Sequence, residues 1–239
     1  MGLFKKTVPV VETATDQQST KIILVCGAEN GLIPFQIAHY LRNHEKDSEI
    51  LLIDNSTTQD LYKAVPREGN IGNAYEISVV SNRQVTMDAF KKFNYVIVYL
   101  GYIPVDSQEG HNTLEYFDVA DFVLLVSDFT LQSRDYMRHF DTHNLPLRLL
   151  FINKVTTRVS EKMLIDVMED TILPSGTDVI SLEFTEDDAS GYIQFLYDGI
   201  RPLNKMSKEY QAAIATIAQD ITKPDASLNT QQVESEEQE

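Results

Sequence analysis

The sequence predicts an α/β protein built on a doubly wound, mostly parallel sheet of about seven strands with helices on both faces. Two observations carry this. Seven short runs rich in Val, Ile and Leu are almost continuously apolar, the pattern of strands covered on both faces rather than on one. Between them lie mixed segments, most of them long enough for the crossover helices that parallel strands need. Length agrees: 239 residues with 43% hydrophobic side chains can bury one sizeable core, and 10 Gly and 8 Pro exclude collagen-like or wholly disordered chains.

The first strand, KIILVC (21–26), runs into a glycine turn, and Pro34 suits the first turn of the helix expected over 34–45, where a missing N–H is no loss. EILLID (49–54) follows. The Asp-Asn-Ser-Thr-Thr stretch after it supplies several N-cap candidates for a helix over 57–65. YEISVV (75–80), NYVIVYL (94–100), DFVLLVS (121–127), LRLLFIN (147–153) and DVISLEF (178–184) complete the strands. Further helices are expected over 84–92, 109–118, 131–143, 159–172, 187–198 and 207–221. The last places Tyr210, Ile214, Ile217 and Ile221 at helical spacing, which reads as a core face. Residues 1–20 lack periodicity and 222–239 are acidic, so both read as flexible tails around a single domain over 21–221.

Charge narrows the partners. Lys plus Arg total 20 against 36 Asp plus Glu, a net charge of −16. The acidic tail carries −4 and the first twenty residues are neutral, so −12 stays on the body. Such a surface repels phosphate backbones and argues against nucleic acid as a partner. The single cysteine, Cys26, offers neither an internal disulfide nor a Cys-based metal cluster, in keeping with a reducing cytoplasm. No apolar run approaches the ~20 residues of a membrane span. MGLFKK has no apolar signal core, and Lys6 stands where a myristoylation motif needs Ser or Thr, which predicts neither export nor acylation. Leu3, Phe4, Lys5 and Lys6 would hold an anionic membrane only weakly, so direct membrane binding is not expected.

In a doubly wound sheet, ligands gather at the carboxyl ends of the strands, and the turn after the first strand is the usual phosphate cradle. Here that turn reads Gly27-Ala28-Glu29-Asn30-Gly31-Leu32-Ile33-Pro34. Its glycines and its place before a helix resemble a P-loop in backbone design. Its side chains differ. A triphosphate cradle uses a Lys against the phosphates and a Ser or Thr hydroxyl on Mg²⁺, whereas residues 22–41 contain no Lys or Arg and Glu29 adds a negative charge.

The strand, glycine turn, helix and following LLIDN resemble the ParA/MinD group of P-loop ATPases, whose loop reads roughly GKGGVGKTT. On that alignment Ala28 takes the signature-lysine place, Ile33 the phosphate-lysine place and Pro34 the magnesium-hydroxyl place. FNYVIVYLGYIP (93–104) resembles the family's DYVIVDLG strand, with Tyr99 in the place of its aspartate. DVADFVLLVSDFTLQSRDYMRHFD resembles the family stretch ADxVLLVTxPxxxSLRxAxR, and LLFINKV its strand ending in Asn-Arg or Asn-Lys. The closing segment over 197–221 also matches at Gly199 and Pro202. The likeness covers about 21–221, and VIVYLG is similar to the CpaE/TadZ branch associated with pilus and secretion assembly.

The resemblance implies a vestigial or weak nucleotide site made of Gly27, Ala28, Glu29, Asn30, Gly31, Leu32, Ile33 and Pro34, with Asp54 at the family's acidic position and Asn153 as an adenine contact. Bland readings stand beside each. The glycines serve a tight turn, Asp54 caps the next helix, and Asn153 ends a strand. Tyr99, Tyr102, Arg134 and Arg138 are the candidate partner-docking residues, with core packing as the alternative for the tyrosines. His139 and His143, four apart, read as surface residues rather than a metal pair, and no metal site is assigned. No catalytic residue is assigned, and no cofactor is expected beyond weak ATP and Mg²⁺.

The implied function is a catalytically degenerate scaffold or positioning factor in the cytoplasm, recruited to protein partners of a membrane-associated or polar machine such as a pilus, secretion or conjugation apparatus. A homodimer is implied because family members pair across the nucleotide face. The alternative is a weakly active ATP-binding ATPase, including a DNA-partition role.

Overall fold

A computed structural model describes residues 19–68, 71–81, 87–103, 116–140, 147–153, 178–199 and 205–223. Nine strands form one sheet: β1 (Lys21–Gly27), β2 (Ile50–Asp54), β3 (Arg67–Glu68), β4 (Ile71–Ala74), β5 (Ile77–Ser81), β6 (Tyr95–Gly101), β7 (Phe122–Ser127), β8 (Leu147–Asn153) and β9 (Asp178–Glu183). Their spatial order is β3-β4-β5-β2-β6-β1-β7-β8-β9. All seven expected strands are present and run parallel to one another. The addition is an antiparallel hairpin, β3 and β4, at one edge.

Alternation along each central strand divides the apolar side chains between two layers. Ile23 and Val25 of β1, Ile50 and Leu52 of β2, and Ile97 and Tyr99 of β6 face one layer. That layer also holds Leu32, Ile33, Phe35 and Ile37 of α1 (Leu32–His44) and Leu61 of α2 (Asp60–Ala64). Leu24, Cys26, Ile53, Val98 and Leu125 face the other. It is closed by Phe90 of α3 (Met87–Phe90), Met137 of α4 (Leu131–His139) and Phe140 just beyond it. Being wrapped on both sides is why these strands read as unbroken apolar runs.

Two C-terminal helices complete the first layer, α5 (Glu186–Asp198) and α6 (Lys208–Thr222). Tyr210, Ile214, Ile217 and Ile221 of α6 are all buried, as their spacing predicts. The helices start together. Asp188, fully buried, accepts from the Thr185 hydroxyl (2.8 Å) and from the Ser207 N–H (2.8 Å) and hydroxyl (2.7 Å). Ser207 in turn caps α6 by accepting from the Tyr210 N–H.

The expected helices over 109–118 and 159–172 and both tails lie wholly or mostly outside the described residues. The helix expected over 57–65 is shorter, beginning at Asp60. The strand expected from Tyr75 starts at Ile77, because Tyr75 and Glu76 form the hairpin turn, both with positive φ (53° and 63°). No helix among the described residues is long and apolar enough to cross a membrane.

Candidate functional site

The loop after β1 is shaped by its sheet neighbour. Gly27 has φ +98°, and a Cβ there would sit 2.0 Å from the Val126 carbonyl oxygen of β7. That carbonyl also accepts from the Ala28 N–H at 2.7 Å. Glycine is therefore required by the close passage of β7, whether or not the loop holds a ligand. At the other end Gly31 caps α1 with no side-chain partner from the loop itself.

The chain then places an acid where the loop opens. The Gly31 N–H donates to Oδ2 of Asp60 at 3.1 Å, and a Cβ on Gly31 would lie 3.0 Å from both Asp60 carboxylate oxygens. Thr58 donates its hydroxyl to Oδ1 of the same carboxylate at 3.3 Å. The Tyr192 hydroxyl of α5 reaches the Glu29 carbonyl at 3.3 Å and lies within hydrogen-bonding reach of Asp60. Burial, and then the negative charge of Asp60, push the Glu29 carboxyl upward.

The side chains that the resemblance sets at the cation and metal places are part of the core. Ile33 is fully buried in the layer shared by α1 and the sheet, and Pro34 is buried beside it. Ala28 and Leu32 are buried as well. Asn30 is 1% exposed, and neither its amide nitrogen nor its amide oxygen has a partner among the described residues.

Asp54 and Tyr99 sit side by side in the register of β2 and β6, both on the α1 side of the sheet. Asp54 is fully buried, and its oxygens are spent on its own turn. Oδ1 accepts from the Ser56 N–H (3.0 Å) and hydroxyl (2.6 Å), and Oδ2 from the Tyr62 N–H in the first turn of α2 (2.8 Å). Burial raises its pKa to about 6 against these bonds, which lower it. Tyr99 is 1% exposed, and its hydroxyl has no hydrogen-bond partner among the described residues. Burial pushes that phenol well up, and Asp60, Asp54 and Glu29 add to the shift, so the hydroxyl stays protonated among three carboxylates.

The expected docking residues separate. Tyr99 lies inside the molecule rather than on a docking patch, because its parity on β6 turns it under the loop. Tyr102 is half-buried, shares a 2.7 Å hydrogen bond with Ser133 and packs edge-on against Tyr136. Arg134 pairs with its neighbour Asp135 at 2.8 Å, and Arg138 is exposed further along α4. Asn153 ends β8, but its side chain lies outside the described residues, as does His143. Sequence reasoning missed Asp60 and Tyr192: neither belongs to a motif, and only the fold of α2 and α5 brings them to the loop.

A magnesium triphosphate does not fit these residues. The described side chains around the loop supply no cation, Ile33 and Pro34 offer no polar group, and Asp54 is committed to backbone amides. Asp60 is already on the Gly31 amide. A polyanion would enter beside Glu29, Asp54 and Asp60 without a compensating cation among the described residues.

Neither a known family profile nor a curated protein matches the chain by sequence. Solved structures do match it in shape. An apo McdA from Cyanothece superposes with a TM-score of 0.59 at 12% identity, covering 86% of this chain and all of that one. The cell division protein MinD of Aquifex aeolicus gives 0.55 at 12% identity over 86% of this chain and 99% of its own. A putative plasmid partition protein of Borrelia burgdorferi bound to AMPPNP gives 0.51 at 12% identity, over 85% and 98%. The chain therefore has the α/β fold of the MinD/ParA P-loop NTPases.

Proposed function

We propose that this chain is a ParA/MinD-fold positioning or scaffold protein that has given up ATPase chemistry and acts through protein partners. One observation carries the proposal: Ile33 and Pro34, which the resemblance sets at the phosphate-lysine and magnesium-hydroxyl places, are buried in the core. Neither could turn outward to serve a nucleotide without opening that core. The partners proposed are components of a membrane-associated or polar machine, a pilus, secretion or conjugation apparatus, as the likeness to the CpaE/TadZ branch suggests. The cytoplasm is the proposed location, and a homodimer formed without nucleotide is the proposed assembly.

Calorimetric titration of the full chain with Mg·ATP tests the loss of chemistry. No binding heat at millimolar nucleotide is expected, together with a light-scattering mass that ATP leaves unchanged. Micromolar, magnesium-dependent heat would overturn it. That result would favour a second reading, a weak ATPase using backbone amides, Asp54 and Asn153, for which the AMPPNP-bound structural neighbour is the motivating observation.

A further inference from the structure

We infer that the carboxylate of Asp60 is a built-in occupant of the loop's anion cradle, standing where a phosphate would otherwise meet the amino end of α1 and excluding it. The inference rests on the proposed reading of this loop as one that no longer takes nucleotide. The amino end of a helix presents unpaired N–H groups and a partial positive charge, and it is stabilised by an anion. In this chain the anion is covalently attached. The Gly31 N–H donates to Asp60 at 3.1 Å, the Thr58 hydroxyl donates to the other oxygen, and the Tyr192 hydroxyl closes over it.

A second feature marks the place as a cradle rather than an ordinary turn. The hydroxyl of Tyr99 is buried, lacks any acceptor among the described residues and lies in the field of Asp60, Asp54 and Glu29. A buried O–H without an acceptor is costly, and it is the kind of donor a bound anion would use. Charge explains why a carboxylate is the occupant. Without a loop lysine only the fractional charge of the helix end is on offer, which the Asp60 carboxylate already balances, so a phosphate arriving beside it meets uncompensated negative charge. Asp60 is thus a specificity residue: it excludes phosphate and holds the loop in one conformation independent of nucleotide.

The test uses the full chain, wild type and Asp60→Ala, with inorganic pyrophosphate as the probe at constant ionic strength. In the wild type the Gly31 amide should be protected from hydrogen exchange, and neither millimolar pyrophosphate nor Mg·ATP should move the melting midpoint by more than about 1 °C. In Asp60→Ala that protection should be lost and the midpoint should fall by about 4 °C or more, with pyrophosphate restoring at least half of the loss saturably. A folded variant that keeps the protection, or that ignores pyrophosphate, overturns the inference while leaving the proposed function standing. Mg·ATP binding to the wild type removes both. Should Asp60→Ala fail to fold, Asp60→Asn keeps an acceptor but no charge; it should gain a smaller pyrophosphate response, and its silence would count equally against the inference.

Discussion

Gly27 and Asp54 show how single residues near the loop are fixed by packing rather than by a ligand. Replacing Gly27 with Ala would drive a Cβ to 2.0 Å from a β7 carbonyl at φ +98°. We expect Gly27→Ala to lose at least about 3 kcal/mol in urea unfolding, with or without ATP. Asp54 makes its prediction through pH. Its carboxyl holds a proton up to about pH 6 in the folded chain, against an ordinary value of 3.8. The stability it contributes is complete below the unfolded value and is lost as pH rises through about 6, a change on the order of 2–3 kcal/mol. The wild type should therefore show a falling stability component between pH 4 and 6.5 that Asp54→Asn lacks, read from urea midpoints across that range. An unchanged slope in the variant would assign the titration elsewhere. That Asp54 is an acid at a strand end was legible in the sequence; that its oxygens are consumed by Ser56 and Tyr62 was not, since this depends on how the chain turns into α2.

At the scale of elements, the central strands were readable because burial on both faces leaves a one-dimensional mark, an unbroken apolar run. The turn from β4 into β5 left none. Two-residue hairpin turns usually advertise themselves as Asn-Gly or Asp-Gly, and here Tyr75-Glu76 adopt the left-handed conformation instead. Tertiary contacts support the turn: Arg42 of α1 pairs with Glu76, and Tyr75 packs edge-on against His39 at 5.1 Å. The joint between α5 and α6 is a second element-scale device. Asp188 ties the first turns of two helices together from a fully buried position, so its loss should be felt in both. Asp188→Ala is expected to cost roughly 2–4 kcal/mol, and Asp188→Asn less, because the amide keeps one acceptor. Thermal unfolding followed by circular dichroism measures the difference, and equal losses would mean the charge, not the acceptor geometry, matters.

For the molecule as a whole, net charge bears on which partners the fold can take. Similar folds occur in a cell division protein and in a plasmid partition protein. Yet −16 is the wrong sign for holding DNA. Gel retention with plasmid DNA should show no salt-sensitive binding, with or without ATP, and a retained band that dissolves as salt rises would restore a partition role. By itself the sequence determined the seven parallel strands, their cover on both faces and the absence of Lys and Arg from residues 22–41, because periodicity and residue chemistry are local properties. Only the tertiary structure decided which side chains meet at the loop. Asp60 and Tyr192 are far apart along the chain and carry no motif, and only the packing of α2 and α5 brings the Asp60 carboxylate to the Gly31 amide and the Tyr192 hydroxyl to the Glu29 carbonyl.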